Sequence, residues 1–203
     1  IVHEQDTNGV RRIVEHSHLK LYTSGKAELK PGREFTTPGI KTIEIRHNGK
    51  KVDTFEVMVI KEAAKNIVQT GNYYMQIYGK YIYPVKANGV YWLELSDQKP
   101  EKPFNVKLIN YQEGRGLMYS IAYDGTYIKQ PASRDGNQLQ SSNVAHAWRI
   151  NKYSAFCTIR DYGNQKLLVN ASGQQSRNGT KVIIWTHTGS APDNAKIKFI
   201  NAD

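Results

Sequence analysis

Few side chains in this sequence are suited to covalent or metal chemistry. Cys157 is the single cysteine, and because it sits in the apolar stretch Ala155–Ile159 we expect a buried, unreactive thiol rather than a nucleophile. His16 and His18 would share one strand face, but the nearby sequence offers no third ligand for a metal. Gly-x-Ser-x-Gly, His-Glu-x-x-His, a phosphate-binding glycine loop and a dinucleotide fingerprint are all missing. We therefore expect no enzyme activity, no metal and no cofactor.

The composition is that of a soluble globular chain with a modest core. Its 203 residues allow one large domain or two small ones, and 39% are hydrophobic while 23% are charged. This excludes a disordered tail or a collagen-like repeat. No apolar run approaches the roughly 20 residues that cross a bilayer, so no membrane insertion is expected. A lone cysteine also excludes an intrachain disulfide framework.

The net charge of +10 comes from 28 Lys and Arg against 18 Asp and Glu. In residues 1–62 the cations are dispersed rather than grouped, which is typical of solvated strand faces. Few aromatic residues are interleaved with them, so nucleic-acid binding is not expected. Attraction to an anionic polysaccharide or cell wall stays open. The dispersed cations are Arg11, Arg12, Lys20, Lys26, Lys30, Arg33, Lys41, Arg46, Lys50 and Lys51.

The elements that must position any site are predicted to be strands. In Ile40–Ile60, apolar residues alternate with charged ones on both sides of Asn48-Gly49. Asn-Gly between alternating runs predicts a hairpin, since a type I′ turn needs two residues with positive φ. Each strand of this hairpin should turn one apolar face to a core. Val10–Val14 and His18–Tyr22 are predicted as shorter strands.

After a polar segment at Glu62–Asn66, interpreted as a linker, one pattern recurs three times. Each copy has a strand, an Asn-Gly or Asp-Gly turn, a second strand and a short apolar closing strand. The opening strands are Lys80–Tyr83, Thr126–Lys129 and Lys166–Val169; the closing ones are Phe104–Ile109, Ala147–Ile150 and Ile197–Ile200. Copies of about 40–46 residues cannot bury their own apolar faces, so the three should pack together in a closed threefold barrel.

The third copy resembles a ricin-type β-trefoil lectin repeat. The matching residues are Gln165–Asn170, Asn178–Trp185 and Asp193–Phe199, which correspond to a strand ending in Asp, an Asn-Gly turn with a Gln-x-Trp strand, and an Asn-Gln-x-Trp close. The resemblance covers roughly residues 68–203. It implies an all-β fold, with a three-repeat β-trefoil domain at 67–203 that binds carbohydrate without catalysis.

The N-terminal part is similar to the last half of bacterial Ig-like domains. Glu34–Ile45 carries Phe-Thr-Thr-Pro-Gly before the first strand, and Asn48-Gly49-Lys50 and Phe55–Val59 follow in the family's order. This implies a small, partial Ig-like β-sandwich at 1–62, against a usual ~100 residues. Such modules are spacers on secreted or surface proteins, so an extracellular or bacterial cell-surface location is expected.

The lectin resemblance also implies sugar ligands. In that family an Asp accepts hydrogen bonds from two hydroxyls, an aromatic ring stacks on the sugar and an Asn and a Gln complete the site. The Asp position holds Pro84, Gln130 and Asn170 in the three repeats, so no repeat keeps the whole set. The third repeat is the best candidate, with Asn170, Trp185, His187 and Asn194. The second retains Gln130 and Gln140.

Each of these residues also has a structural interpretation. For Asn170 a ligand role and a turn-forming role are both open, whereas Trp185 is expected to pack in the core. Trp148 is expected to be core, and Asp135 to lie in a solvated turn. The aromatic cluster of the first repeat is attributed more to strand propensity than to glycan stacking. It comprises Tyr73, Tyr74, Tyr78, Tyr81, Tyr83, Tyr91 and Trp92.

The sequence therefore favours a non-catalytic, lectin-like module whose partner is a glycan or polysaccharide. The alternative is a trefoil with degenerate sugar sites that binds a protein partner or acts as a scaffold, favoured by the missing Asp in all three repeats. An accessory part of a larger enzyme is a third possibility.

Overall fold

The computed structural model is built almost entirely of strands. It describes residues 3–5, 11–13, 19–23, 28–29, 35, 39–59, 67–112, 115–132 and 134–202. His16, His18 and the predicted linker lie outside these residues. The regular elements of the described residues are strands and short 3-10 turns. Among these residues, no helix is long and apolar enough to span a membrane. The chain divides into two compact units, Ile1–Lys61 and Glu62–Asp203.

The N-terminal unit contains a hairpin at the predicted place. The strands of this unit are β1 (His3–Gln5), β2 (Arg11–Ile13), β3 (Leu19–Thr23), β4 (Gly39–His47) and β5 (Lys50–Val59). β1 pairs with β2, and β3, β4 and β5 form an antiparallel sheet. Asn48 and Gly49 connect β4 to β5 with φ of 49° and 78°, which confirms the predicted turn.

The prediction that this hairpin turns an apolar face to a core is wrong for part of its length. Ile43 is 1% exposed, but its cross-strand partner Phe55 is 42% exposed and Ile40 is 40% exposed. Within the described residues the unit has a single three-stranded sheet and one strand pair. A single small sheet has too little opposing surface to cover every apolar side chain.

The C-terminal unit has four strands in each repeat. The first repeat has β6 (Gly71–Ile77), β7 (Lys80–Ala87), β8 (Val90–Ser96) and β9 (Phe104–Gln112). The second has β10 (Gly116–Tyr123), β11 (Thr126–Lys129), β12 (Gln140–Ser142) and β13 (Trp148–Lys152). The third has β14 (Cys157–Asp161), β15 (Leu167–Ala171), β16 (Val182–Thr186) and β17 (Lys198–Asn201). The three predicted strands of each repeat are confirmed, and each repeat begins with a further strand.

The first and last strands of the repeats form a closed barrel. The antiparallel order is β6–β9–β10–β13–β14, and β17 pairs with β6. A bridge between Cys157 of β14 and Ile197, just before β17, completes the ring. Closure leaves no free barrel edge, so the outer strands of every repeat take backbone hydrogen bonds from the neighbouring repeats.

The middle strands of each repeat form hairpins that contact one another. β7 pairs with β8, β11 with β12 and β15 with β16. The hairpins are joined by the pairs Gln140–Trp92, Glu94–Lys181 and Gln138–Ile183. The core lies where hairpins and ring meet, and all three repeats contribute to it. Its side chains include Met75, Ile82, Leu93, Ile121, Ile128, Leu139, Trp148, Ile159, Val169 and Val182.

Candidate functional site

An open cleft of about 680 Å³ lies on the third repeat. It contains four of the six residues that the sequence nominates as ligands: Asn170, Trp185, His187 and Asn194. Gln130 and Gln140 are not among its lining residues. The full lining is Leu168, Asn170, Ser172, Gly173, Gln174, Ile183, Trp185, Thr186, His187, Pro192 and Asn194.

The floor of the cleft is one face of the β15–β16 hairpin. Leu168 lies opposite Trp185, and Asn170 lies opposite Ile183. Side chains alternate between the two faces of a strand, and directly opposed residues share a face. The strand pairing therefore sets Asn170 and Trp185 on the same side of the hairpin, together with Leu168, which is buried at the base of the cleft.

Trp185 is half exposed, at 50%, so the expectation that it packs in the core is wrong. The turn of the second repeat stands beside it. A Cβ atom placed on Gly136 would lie 3.9 Å from Trp185 Cζ3, and the carboxylate of Asp135 accepts the backbone N–H of Thr186. Asp135 is in an exposed turn, as predicted, and that turn is attached to the strand that carries Trp185.

Two asparagine amides line the cleft near the end of β15. Asn170 lies inside the strand rather than in a turn, and its Nδ2 donates to Leu168 O at 3.1 Å. Asn194 Nδ2 donates to Ala171 O at 2.9 Å. Asn194 is 8% exposed, and its Oδ1 has no hydrogen-bond partner among the described residues. A buried acceptor without a partner costs free energy, so a donor supplied by a ligand or by water would stabilise this position.

His187 stands in a loop that is fixed by hydrogen bonds. Its Nε2 is 2.6 Å from Ser190 O, and since a carbonyl oxygen only accepts, Nε2 carries the proton. The backbone N–H of His187 donates to Lys166 O at 2.8 Å. Arg160 Nη1 donates to His187 O at 3.0 Å and to Gln165 O at 2.9 Å. The loop therefore holds the imidazole on the cleft rim without help from a ligand.

The rest of the cleft comes from segments that the sequence analysis did not nominate. Ser172–Gln174 forms a 3-10 turn after β15, in which Gly173 and Gln174 have φ of 61° and 56°. Thr186 and Pro192 add the opposite wall. The signal present in the sequence was the small, polar run Ser-Gly-Gln-Gln directly after an apolar strand.

The chemistry of the cleft is polar but uncharged. Among the described residues that line it, none is acidic, and His187 is the one titratable side chain. The indole offers a flat apolar face, while amides, hydroxyls and the imidazole offer donors and acceptors. Such a site suits a neutral ligand that has both a C–H face and directed hydroxyl groups.

In the second repeat, Gln130 belongs to a buried polar network instead. It is 5% exposed, and its Nε2 donates to Asp161 Oδ2 at 2.7 Å. His146 Nε2 lies 2.8 Å from the same oxygen. Burial raises the pKa of Asp161, but hydrogen bonds from His146 and from the backbone N–H of Asn164 outweigh it, so the pKa is lowered overall. Gln140 lies in β12, paired with Trp92.

The other sequence candidates have structural partners. Trp148 is fully buried and donates from Nε1 to Ile128 O at 2.9 Å, which confirms its core position. Cys157 is buried as predicted, and burial raises the pKa of its thiol to about 11. In the described part of the chain, no three metal-ligating side chains form a group.

Several members of the aromatic cluster of the first repeat contact other residues of the chain, whereas Tyr78 is 40% exposed. Tyr74 and Tyr81 meet edge to face with ring centroids 6.3 Å apart. Tyr91 Oη donates to Asp124 at 2.7 Å. Pro84, which holds the position of the family's Asp in this repeat, is buried.

Comparison with known proteins identifies structural neighbours only. No family model and no curated protein sequence matches the chain. The agglutinin of Rhizoctonia solani superimposes with a TM-score of 0.56 at 18% identity, over 66% of this chain and 97% of the agglutinin. A mosquitocidal holotoxin superimposes with a TM-score of 0.54 at 11% identity, over 68% of this chain and only 18% of the toxin. About two thirds of the chain thus has a fold similar to that of the agglutinin and of part of the toxin.

Proposed function

We propose that residues 67–203 form a three-repeat β-trefoil that binds carbohydrate, without catalysis, in the cleft of the third repeat. The observation that carries the proposal is the half-exposed indole of Trp185 beside the amides of Asn170 and Asn194. The closed ring of strands, the three mutually paired hairpins and the likeness to an agglutinin support it.

The proposed contacts follow from the chemistry of a pyranose. Its C–H face would stack on Trp185, because an aromatic ring offers a flat apolar surface with a partial negative charge. Its hydroxyls would donate to Asn194 Oδ1, which lacks a partner among the described residues, and would meet the amide of Asn170. The neutral lining matches a neutral sugar ring, because no desolvated charge has to be compensated.

A glycan array followed by calorimetric titration tests the proposal. Trp185→Ala should weaken binding at least about tenfold, since burying an aromatic face contributes about 1.5–3 kcal/mol. Asn170→Ala should weaken it about two- to tenfold. Tyr153→Ala is the matched control, because Tyr153 is 48% exposed but lies outside the cleft. Absence of binding to every sugar, or unchanged binding by Trp185→Ala, contradicts the proposal.

The second candidate is a trefoil with degenerate sugar sites that binds a protein or serves as a scaffold, alone or as an accessory part of a larger enzyme. The specific observation in its favour is that the cleft lining contains no carboxylate, whereas the resembled family uses an Asp. The same titrations separate the candidates, since a scaffold would bind none of the arrayed sugars.

For residues 1–62 we propose a partial Ig-like spacer, and for the protein an extracellular or bacterial cell-surface location. The Asn48-Gly49 hairpin and the three-stranded sheet support the first of these. Fractionation of the native host, with detection of the chain in the medium or on the cell surface, tests the second. Exclusive recovery from the cytoplasm would contradict it.

A further inference from the structure

A second, smaller cleft adjoins the first on the other side of the Ser172–Gln174 turn. Its volume is about 240 Å³, and it shares Ser172 and Gly173 with the larger cleft. A ligand that fills the larger cleft therefore reaches the smaller one by crossing only these two small residues. Its complete lining is Ser172, Gly173, Gln175, Arg177, Gly179, Thr180 and Lys181.

The two clefts differ in charge. The larger one is uncharged apart from the titratable His187, whereas Arg177 and Lys181 both line the smaller one and are exposed. Within the described part of the chain neither cation is paired with a carboxylate. Two unpaired cations beside one small cleft create a positive potential that favours an anion.

The smaller cleft also contains a hydroxyl without a partner. Thr180 is 5% exposed, and its Oγ1 has no hydrogen-bond partner among the described residues. A hydroxyl both donates and accepts, and an anionic oxygen is a strong acceptor for it. Thr180 lines the same cleft as the two cations, so a bound anion would offer its hydroxyl the acceptor that it lacks among the described residues.

Backbone hydrogen bonds hold the frame of the smaller cleft. Ser172 N donates to Lys181 O at 2.9 Å and closes the loop between β15 and β16. Gly179 N donates to Leu95 O, and Leu95 N donates to Thr180 O, each at 2.8 Å. The loop is therefore attached to the first repeat, and little order has to be gained when an anion binds.

Carboxylates near this cleft leave its cations available. Asp97 is bonded to Asn178 and forms an ion pair with Lys80 at 2.5 Å. Glu94 lies opposite Lys181 in a β-bridge, and its Oε2 would lie 3.9 Å from a Cβ atom on Gly179. Among the described residues it forms no ion pair with Lys181, and it does not line the cleft.

We propose that this smaller cleft binds the anionic substituent, sulfate or carboxylate, of an acidic glycan whose neutral ring occupies the Trp185 cleft. Arg177 and Lys181 supply the charge, and the hydroxyl of Thr180 supplies a hydrogen bond. The link to a glycan rests on the proposed carbohydrate binding; the anion cleft itself does not. The site would then select glycans that carry an uncharged ring together with an anionic substituent on the side of the ring nearest Ser172.

Titration with inorganic sulfate tests the anion cleft without any sugar. Backbone amide signals of Gly173, Gly179 and Lys181 should shift saturably with sodium sulfate, measured against sodium chloride at equal ionic strength. The double variant Arg177→Gln/Lys181→Gln should lose this response. Lys107→Gln, which removes an exposed cation of β9 outside both clefts, should retain it. No saturable shift, or the same shift in the double variant, overturns the inference.

Matched glycans test the link to the larger cleft. The probes are galactose, N-acetylgalactosamine, N-acetylglucosamine and mannose, each neutral, sulfated and as the uronic acid. A sulfated or carboxylated form should bind about three- to tenfold more tightly than its neutral counterpart, because a screened charge pair contributes about that factor. The double variant should abolish the preference and keep neutral binding.

The outcomes separate this inference from the proposed function. Equal binding of neutral and acidic forms overturns the inference and leaves the carbohydrate proposal standing. Failure of every probe, neutral and acidic, contradicts the carbohydrate proposal and the link to a glycan, whereas a saturable response to sulfate that the double variant loses still supports the anion cleft. Preference for the sulfated over the carboxylated form identifies a tetrahedral anion as the ligand, and the reverse identifies a carboxylate. An unchanged urea midpoint in the double variant shows that the fold is intact.

Discussion

The second and third repeats use the same position of the strand pattern in opposite ways. Gln130 and Asn170 both hold the position of the family's Asp, yet Gln130 is bonded to the buried Asp161 while Asn170 lines an open cleft. The tryptophans differ in the same sense, since Trp148 is fully buried and Trp185 is half exposed. Both amides are buried, at 5% and 6% exposure, so the difference lies in their partners: Gln130 bonds a carboxylate, whereas Asn170 bonds the backbone oxygen of Leu168 at the wall of a cleft.

The largest expected effect is on the buried tryptophan. Trp148→Ala should lower the free energy of unfolding by about 3–5 kcal/mol, because it removes a large core side chain and its hydrogen bond to Ile128 O. Trp185→Ala should lower it by less than about 1 kcal/mol. Urea unfolding of both variants checks this. Equal destabilisation would remove the distinction between a core tryptophan and an exposed one.

The next effect concerns the carboxylate that fixes Gln130. Asp161→Asn should cost about 1–3 kcal/mol, because one acceptor becomes an NH₂ group that faces other donors. Asp193→Asn is the control, since its carboxylate is exposed and, among the described residues, forms an ion pair with Lys196 at the surface. Thermal unfolding of both variants measures the difference. A similarly small change in each would show that the network does not stabilise the second repeat.

The same carboxylate predicts a pH dependence. The pKa of Asp161 is lowered from 3.8 in the folded protein, so its contribution to stability is present above that value. The contribution is lost as the pH falls through the lower, folded-state pKa. Stability measured between pH 6 and pH 2 should therefore decline less steeply in Asp161→Asn than in the unmodified protein. Identical profiles would contradict the role given to this group.

The smallest effect compares the two amides directly. Gln130→Ala should cost about 1 kcal/mol of stability and leave sugar binding unchanged, because its side chain bonds Asp161 and lies outside the cleft. Asn170→Ala should weaken binding and change stability less. Calorimetric titration measures sugar binding by both variants, and urea unfolding measures their stability. A loss of binding in Gln130→Ala would contradict the different roles given to the two amides.

Much of the architecture could be predicted from local patterns. The Asn48-Gly49 hairpin and the strands of the three repeats carry glycine turns or period-two alternation. Both are local signals, because glycine permits the positive φ of the turn and alternation decides which strand face is buried. No pattern singled out β6 and β10. β10 is buried at five of its eight positions, so the alternation that marks a half-exposed strand is missing.

The site was predictable in part. Asn170, Trp185, His187 and Asn194 were nominated through the resemblance, and the structure brings all four to one cleft. The exposure of Trp185 was not predictable, because it depends on how the Asp135-Gly136 turn of another repeat stands against β16. The hydrogen bond between Gln130 and Asp161 likewise joins residues 31 positions apart, so no local sequence pattern predicts it.

The indole N–H signals of the three tryptophans give the most direct measurement. A two-dimensional NMR titration with the tightest-binding glycan of the array follows Trp92, Trp148 and Trp185 together in one experiment. The account predicts a saturable shift of the Trp185 signal, whereas the Trp148 signal stays fixed. A shift of Trp92 or Trp148 with Trp185 unmoved would place the ligand elsewhere and contradict it.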